Sequence, residues 1–176
     1  MKFHKQEIED VFLITPEIFE DDRGFFNRSF CEKELKKYGI EFSVKQGNIS
    51  ENLKRGTLRG FHYQSSPSNE NKILSCICGA IFNVIIDLRE NSTTYLTSTC
   101  IEVDSRNKES ILVPAGCANA FLTKYDNTIV HYYMGDFFQK DTYCGIRYND
   151  PFFNIHWPFE PSIISQRDLS FEDFKI

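Results

Sequence analysis

Short segments rich in β-branched and aromatic residues follow one another through the middle of the chain, separated by residues that favour turns. Residues 72–90 form two such segments on either side of Gly79, and residues 97–104 alternate polar and apolar side chains. Residues 110–126 are interrupted by Pro-Ala-Gly, and a further apolar segment covers residues 128–138. Many short strands at regular spacing predict an all-β sandwich or barrel.

One segment near the start has helical character instead. Residues 30–39, FCEKELKKYG, end in Gly39, which suits a helix C-cap because glycine adopts the left-handed conformation without steric cost. We therefore expect a few short helices beside the strands. A chain of 176 residues suits a single domain over residues 1–176.

Charge and hydropathy exclude several classes of function. The net charge of −5, without a basic stripe, makes nucleic acid an unexpected partner. Because no apolar stretch approaches the roughly 18 residues of a membrane span, we expect no membrane association. The six cysteines follow a charged N-terminal segment that does not resemble a signal peptide. We therefore expect reduced thiols and a cytoplasmic protein.

His62, in TLRGFHYQ (residues 57–64), is the first candidate for chemistry, although a lone histidine in a strand is commonly structural. A metal-binding cupin would need a second histidine two residues later, and this chain has Gln64 there. We therefore expect no metal and no cofactor. Strand alternation places His131 and Tyr132 on opposite faces, so only one of them can point into a barrel.

Ten motifs along the chain, in order and at matching spacing, resemble the dTDP-4-dehydrorhamnose 3,5-epimerase family from about residue 10 to about residue 170. They are EDDRGFF (20–26), VKQGNIS (44–50), TLRGFHYQ (57–64), Lys72, GAIFNVIIDLR (79–89), VPAGCANAF (113–121), VHYY (130–133), GIRYNDP (145–151), Trp157–Pro158 and ISQRD (164–168). The resemblance implies a cupin-type jelly roll, or double-stranded β-helix. It also implies a homodimer with exchanged N-terminal strands.

The resemblance further implies an epimerase acting beside the ketone of a nucleotide-linked 4-keto sugar, in the synthesis of polysaccharide or glycoconjugate precursors. By similarity, His62 is the base that removes a proton, and Asp168 orients its imidazole. Tyr132 matches the acid that returns a proton to the opposite face. Lys72 matches a cation near the enolate oxygen, although a solvated lysine is the simpler interpretation of that residue alone.

By the same resemblance, Arg23 and Arg59 face the phosphates, and Arg167 is a third candidate for that role. Gln46 and Asn48 match polar contacts in the nucleotide pocket. Taken singly, each of these residues is commonly a solvated surface group, and the hypothesis depends on their joint match.

Four more positions complete the predicted substrate site. Phe26, on the exchanged strand, is expected to approach the ligand of the partner subunit. This chain has Asn119 where the family usually has His, which affects the stabilisation of the enolate and the number of carbons inverted. Arg28 replaces the usual Glu and can fork onto guanine, which favours a GDP-linked over a dTDP-linked substrate. Phe138 keeps a stacking face without a hydroxyl.

Arg59 and His62 have opposite parity along one strand, so a regular strand would separate them. Gly60 must therefore permit a bulge or sharp twist if both are to line one pocket. Three rival functions remain open: an epimerase acting at C3 only, a non-catalytic jelly roll that binds sugar nucleotides, and a metal-dependent cupin.

Overall fold

The described part of the chain, residues 1–175, forms fourteen strands and two short α-helices in this computed structural model. Ile176, the last residue of the predicted domain, lies outside the described residues. The strands are β1 Lys2–Lys5, β2 Phe12–Thr15, β3 Ile18–Asp21, β4 Gly24–Asn27, β5 Gln46–Asn52, β6 Thr57–Gln64, β7 Lys72–Cys78, β8 Ala80–Asp87, β9 Ser98–Asp104, β10 Ser110–Val113, β11 Cys117–Thr123, β12 Thr128–Met134, β13 Tyr143–Gly145 and β14 Ile163–Ile164. The helices are α1 Glu32–Lys37 and α2 Gln166–Leu169, and Lys140–Thr142 form a single 3-10 turn.

Two sheets build the body of the molecule. The first has the strand order β1-β2-β10-β7-β12-β5, and the second has the order β13-β6-β11-β8-β9, with β14 added parallel to β6. Neighbouring strands are mostly not consecutive in the chain, so the connections cross from one sheet to the other. This architecture is a jelly roll, as the sequence predicts.

The space between the sheets is filled at one end by apolar side chains from both sheets. Leu74 of the first sheet and Ile81, Ile85 and Phe121 of the second belong to this cluster. Leu74 and Phe121 also line a cavity that continues between the sheets. The core therefore forms the floor of the cavity, while other apolar clusters cover the outer faces of the sheets.

The predicted segments match the observed elements closely. The segment 72–90 forms β7 and β8, and they separate at Gly79, which has a φ of +81°. The helical segment is shorter than predicted: α1 begins after Cys31 and is capped at Tyr38, and Gly39 follows with a φ of +74°. Gly39 thus has the left-handed conformation expected of the residue that ends a helix.

The hairpin β3–β4 pairs with neither sheet, and four large apolar side chains on it are exposed. They are Ile18, Phe19, Phe25 and Phe26. Exposed apolar surface of this extent is typical of an interaction site rather than of a free surface.

Across residues 1–175, neither helix has the length and apolar character needed to cross a membrane. All six cysteines are free thiols.

Candidate active site

A cavity of about 450 Å³ opens between the two sheets, within the size range of small-molecule sites. Six of the residues singled out from the sequence line it: Arg59, His62, Lys72, Asn119, Tyr132 and Phe138. Strands of both sheets contribute to this wall. The site is therefore assembled across the sandwich and not along one strand.

His62 lies on β6, and its Nε2 is 2.9 Å from Oδ1 of Asp168 on α2. Because an ionised carboxylate only accepts hydrogen bonds, Nε2 carries the shared hydrogen. Nδ1 is then the ring nitrogen that is free to accept a proton. The side chain of His62 is 27% exposed, whereas that of Asp168 is 6% exposed, so the imidazole separates the carboxylate from the cavity.

Asp168 remains ionised because of its hydrogen bonds. Burial alone would raise its pKa, but hydrogen bonds with His62, the Gly60 N–H and Ser165 outweigh burial, and its pKa is lowered. The chain holds this carboxylate at the start of α2, where the Ser165 hydroxyl accepts a hydrogen bond from the Asp168 N–H. A short capped helix thus fixes the partner of the imidazole.

A bulge in β6 lets Arg59 and His62 share one wall. His62 is opposite Asn119 of β11 and Arg59 is opposite Phe121, so three steps on β6 match two on β11. Gly60 has a φ of +119°, and a Cβ there would lie 2.6 Å from the Ala120 Cα. Only glycine fits this position, as the opposite parity of Arg59 and His62 requires.

Tyr132 is on β12, in the sheet that does not contain His62. It lines the cavity, whereas its neighbour His131 packs on the outer face of the sheet, 4.5 Å from the ring of Tyr133. Burial raises the pKa of Tyr132, Glu70 raises it further, and Arg59 opposes both. The phenol is therefore a neutral hydrogen donor over the whole neutral pH range.

Lys72, at the start of β7, is held by a carboxylate that the sequence analysis did not single out. Its Nζ lies 2.6 Å from Oε1 of Glu70, and the two side chains are only 14% and 4% exposed. Glu70 also lines the cavity. A surface loop rich in Ser, Pro and Asn precedes Glu70. In the sequence, only its position two residues before Lys72 indicates that Glu70 belongs to the site.

Asn119 lines the cavity, but its amide hydrogens are not available to a ligand. Its amide nitrogen donates to Oδ1 of Asn83, at 2.8 Å, and to the Val84 carbonyl, at 3.0 Å. Because the carbonyl accepts only, the orientation of the amide is determined, and both of its hydrogens are used within the protein. Asn119 can therefore offer only its oxygen to a ligand in the cavity.

Aromatic side chains close the cavity beside His62. The ring of Tyr143 lies 5.4 Å from that of His62 and 5.5 Å from that of Phe138. Burial raises the pKa of Tyr143 to about 12. The Arg167 guanidinium lies 3.9 Å above the Tyr143 ring, on a cation–π contact, and is not part of the cavity lining.

Five further predicted residues are not among those that line the cavity of this single chain: Arg23, Phe26, Arg28, Gln46 and Asn48. Arg23 pairs with Asp21 and is 90% exposed, and Arg28 pairs with Glu34 at 3.3 Å. Phe26 projects from the same exposed hairpin.

Gln46 and Asn48, on β5, lie opposite Met134 and Tyr132 of β12, so their side chains are on the cavity face of the sheet without being among the lining residues. The Gln46 side chain accepts a hydrogen bond from the Phe138 N–H, and the Asn48 amide lies 3.0 Å from the sulfur of Met134, which lines the cavity. Their predicted contacts with a nucleotide stay predictions.

Comparison with known proteins assigns the family. The family model of dTDP-4-dehydrorhamnose 3,5-epimerase matches residues 5–175. The Shigella flexneri enzyme of that name is 33% identical over 175 residues, which cover 99% of this chain and 96% of that protein. The chain belongs to the dTDP-4-dehydrorhamnose 3,5-epimerase family. The predicted family, fold and enzyme class are thereby confirmed.

Solved structures of this family superpose closely on the chain. The dTDP-4-dehydrorhamnose 3,5-epimerase of Bacillus anthracis, solved with TDP and PPi bound, gives a TM-score of 0.95 at 34% identity and covers 98% of this chain and 99% of its own. A 3'-monoepimerase from Streptomyces bikiniensis, in complex with dTDP-quinovose, gives a TM-score of 0.89 at 28% identity and covers 97% of this chain and 86% of its own.

Within residues 1–175 no group of three His, Cys, Asp or Glu side chains is arranged to hold a metal ion.

Proposed function

We propose that this protein inverts a carbon next to the ketone of a nucleoside-diphosphate 4-keto sugar, with His62 as base and Tyr132 as acid. The observation that carries the proposal is that these two side chains line the same cavity from opposite sheets. A sugar ring between them would face a base on one side and an acid on the other.

The reaction follows from the acidity of hydrogens beside a carbonyl. His62 Nδ1 takes a proton from the carbon, and the electron pair of the broken C–H bond moves to the ketone oxygen as an enolate. Tyr132 then gives its hydroxyl proton to the other face of that carbon, and the ketone is restored. Exchange with solvent returns His62 and Tyr132 to their starting states.

Cations in the wall suit the charge that develops on the enolate oxygen. Lys72 and Arg59 both line the cavity, and preorganised positive charge is most effective where negative charge appears in the transition state. Asp168 stabilises the imidazolium that His62 becomes. The site thus contains a base, an acid and a cation for one proton-transfer reaction.

The exposed hairpin supports a homodimer with exchanged N-terminal strands. Within one chain, Arg23 and Phe26 do not line the cavity that contains His62, and the large apolar side chains of β3–β4 are exposed. In an exchanged dimer the hairpin would cover itself against the partner and bring Arg23 to the phosphates of the partner's ligand. A monomer by light scattering at micromolar concentration would contradict this arrangement.

Two bases are candidates for the nucleotide. Arg28 favours guanine because a guanidinium forks onto the O6/N7 edge, whereas the ligands of the related solved structures carry thymidine. Titration with GDP and with dTDP separates them. Tighter binding of GDP that is lost in Arg28→Ala supports the guanine nucleotide, and preference for dTDP excludes it.

Asn119 favours inversion at C3 alone over inversion at C3 and C5. An amide does not release a proton near neutral pH, and both hydrogens of this one are bound within the protein, so Asn119 cannot serve as an acid for a second carbon. Incubation in deuterium oxide tests this point, because each inverted carbon acquires deuterium. One labelled position supports the single inversion, and two support action at both carbons.

The same measurement tests the catalytic proposal as a whole. Tyr132→Phe should suppress inversion more strongly than it suppresses proton loss from the sugar. If the wild-type protein binds the nucleotide sugar but the sugar takes up no deuterium, the protein is instead a binding module.

We further propose a cytoplasmic location, where nucleotide sugars are available and the free thiols stay reduced.

A further inference from the structure

Gln64 occupies the position two residues after His62 on β6, and its side chain is almost completely buried, at 3% exposure. A glutamine in this environment must satisfy both ends of its amide. Its contacts reach the segment that carries Phe138 on one side and the Glu70 carboxylate on the other. The residue therefore lies between two parts of the cavity wall.

The hydrogen bonds determine the orientation of the Gln64 amide. Oε1 accepts from the Gln139 N–H at 2.6 Å and from the Thr142 hydroxyl at 3.2 Å. A backbone N–H can only donate, so the oxygen must be at this end. Nε2 then faces Glu70 Oε2 at 2.6 Å, with the Ser68 hydroxyl and the Phe137 carbonyl further away, each at 3.2 Å.

The two oxygens of Glu70 have separate partners. Oε1 binds the Lys72 ammonium at 2.6 Å, and among residues 1–175 Gln64 makes the one hydrogen bond to Oε2. Without Gln64 the carboxylate could rotate, and Lys72 would move with it. The Phe138 segment, by contrast, has further support from Gln46 and Thr142.

We propose that Gln64 is a positioning residue whose amide holds the Glu70 carboxylate and, through it, the Lys72 ammonium in the cavity wall. Its effect on catalysis rests on the proposed function, in which Lys72 stabilises the enolate. Its effect on Lys72 itself does not depend on that function.

Gln64→Leu tests the kinetic consequence. We expect kcat to fall roughly ten- to hundredfold, because a hydrogen bond to a buried charge is lost, while KM changes by less than about threefold. Thr142→Val is the matched control. It removes the hydroxyl that binds Gln64 Oε1 but leaves the contact with Glu70, so kcat should stay within about twofold of the wild type.

Gln64→Glu gives a readout that a purely structural role would not produce. Its new carboxyl would face Glu70 at hydrogen-bond distance, and two carboxyls so close share a proton. The other charged or titratable groups around Glu70 are Lys72 on β7, Tyr132 on β12, Tyr143 on β13 and Asp136 beyond Ser68.

While the shared proton is bound, the introduced carboxyl donates to Glu70 as the amide does, so the variant should approach wild-type activity at low pH. As the pH rises and the proton leaves, repulsion between the carboxylates displaces Glu70. The ratio of variant to wild-type kcat should therefore fall at least about tenfold with rising pH. A ratio that is constant with pH would overturn the proposal.

Acetylation of Lys72 tests the positioning without any activity. The rate of labelling by acetic anhydride, relative to the exposed Lys33, is measured by peptide mass spectrometry. We expect this relative rate to rise at least about fivefold in Gln64→Leu, because the ammonium loses its fixed partner. An unchanged relative rate overturns the proposal, whereas a wild-type protein that exchanges no deuterium overturns only the proposed function.

Discussion

Two buried carboxylates, Asp87 and Asp168, are bound by very different partners. Asp87 is completely buried and accepts hydrogen bonds from Arg89 Nε at 2.8 Å and Arg89 Nη2 at 2.9 Å. It also accepts hydrogen bonds from the Ser92 and Thr94 hydroxyls. Asp168 receives the Gly60 N–H and the imidazole of His62. The first set contains a guanidinium, which is always charged, whereas the second contains an imidazole, a group that can accept or release a proton.

The partner of each carboxylate limits what that carboxylate can do. An arginine is always protonated, so the pair with Asp87 fixes the turn after β8 and cannot take part in proton transfer. An imidazole can gain and lose a proton, and His62 lines a cavity that is open to a ligand. The pair of Asp87 with Arg89 can therefore contribute only to stability, whereas the pair of Asp168 with His62 can take part in the proposed proton transfer.

The largest expected effect comes from Asp168→Asn. The amide cannot stabilise an imidazolium, so deuterium uptake into the substrate should fall roughly 10³-fold. The melting temperature should change little, because an amide oxygen can still accept from Gly60. Uptake at the wild-type rate would remove Asp168 from the proposed mechanism.

Asp87→Asn should produce the opposite outcome. The change leaves Arg89 without its buried counter-charge, and the free energy of unfolding should fall by about 3 kcal/mol in urea titrations. The deuterium uptake per folded molecule should stay within about twofold of the wild type. A stable Asp87→Asn variant that has lost activity would contradict the distinction between the two carboxylates.

The sequence predicts local features of this molecule better than those that depend on distant packing. The strands around Gly79 and the bulge at Gly60 follow from side-chain alternation and from the conformations that glycine allows. The pairing of His62 with Asp168 came from family resemblance, because more than a hundred residues separate them. Glu70 was missed because its burial depends on the loop that folds over it.

The burial of Gln64 was equally beyond local analysis. Its position in HYQ excluded a second metal-binding histidine, but nothing in the strand pattern predicts that its amide connects two walls of the cavity. The hairpin residues Arg23 and Phe26 present the opposite problem. Their proposed partners belong to a second copy of the chain, so neither the strand pattern nor a single chain contains the contact.

The two carboxylates should also differ in how they affect unfolding by acid, and this effect is smaller. Hydrogen bonds from Arg89, Ser92 and Thr94 overcome the burial of Asp87 and hold its pKa well below its ordinary range. A lowered pKa in the folded state gives stability that is present above the ordinary pKa of about 3.9 and is lost as the pH falls.

One such group contributes at most about 1.4 kcal/mol per pH unit. Asp87→Asn should therefore flatten the loss of unfolding free energy below about pH 4 relative to the wild type. Asp168→Asn should flatten it less, because among residues 1–175 Asp168 is bound by the imidazole of His62 and by no guanidinium. Equal flattening in both variants would contradict the distinction.

The smallest expected effect concerns kcat at alkaline pH, which should not change with pH. Burial raises the pKa of Tyr132 above its ordinary value of about 10, and the opposing influence of Arg59 does not reverse this. The phenol therefore keeps the proton that it must donate, and kcat should not decline between about pH 8 and pH 9.5. If kcat declines in this range, also in Gln64→Leu, while nucleotide binding does not change, the group that donates the proton loses it below pH 9.5. That group would then not be the buried phenol of Tyr132. Lys72, which Glu70 binds in the same cavity, would be the next residue to test.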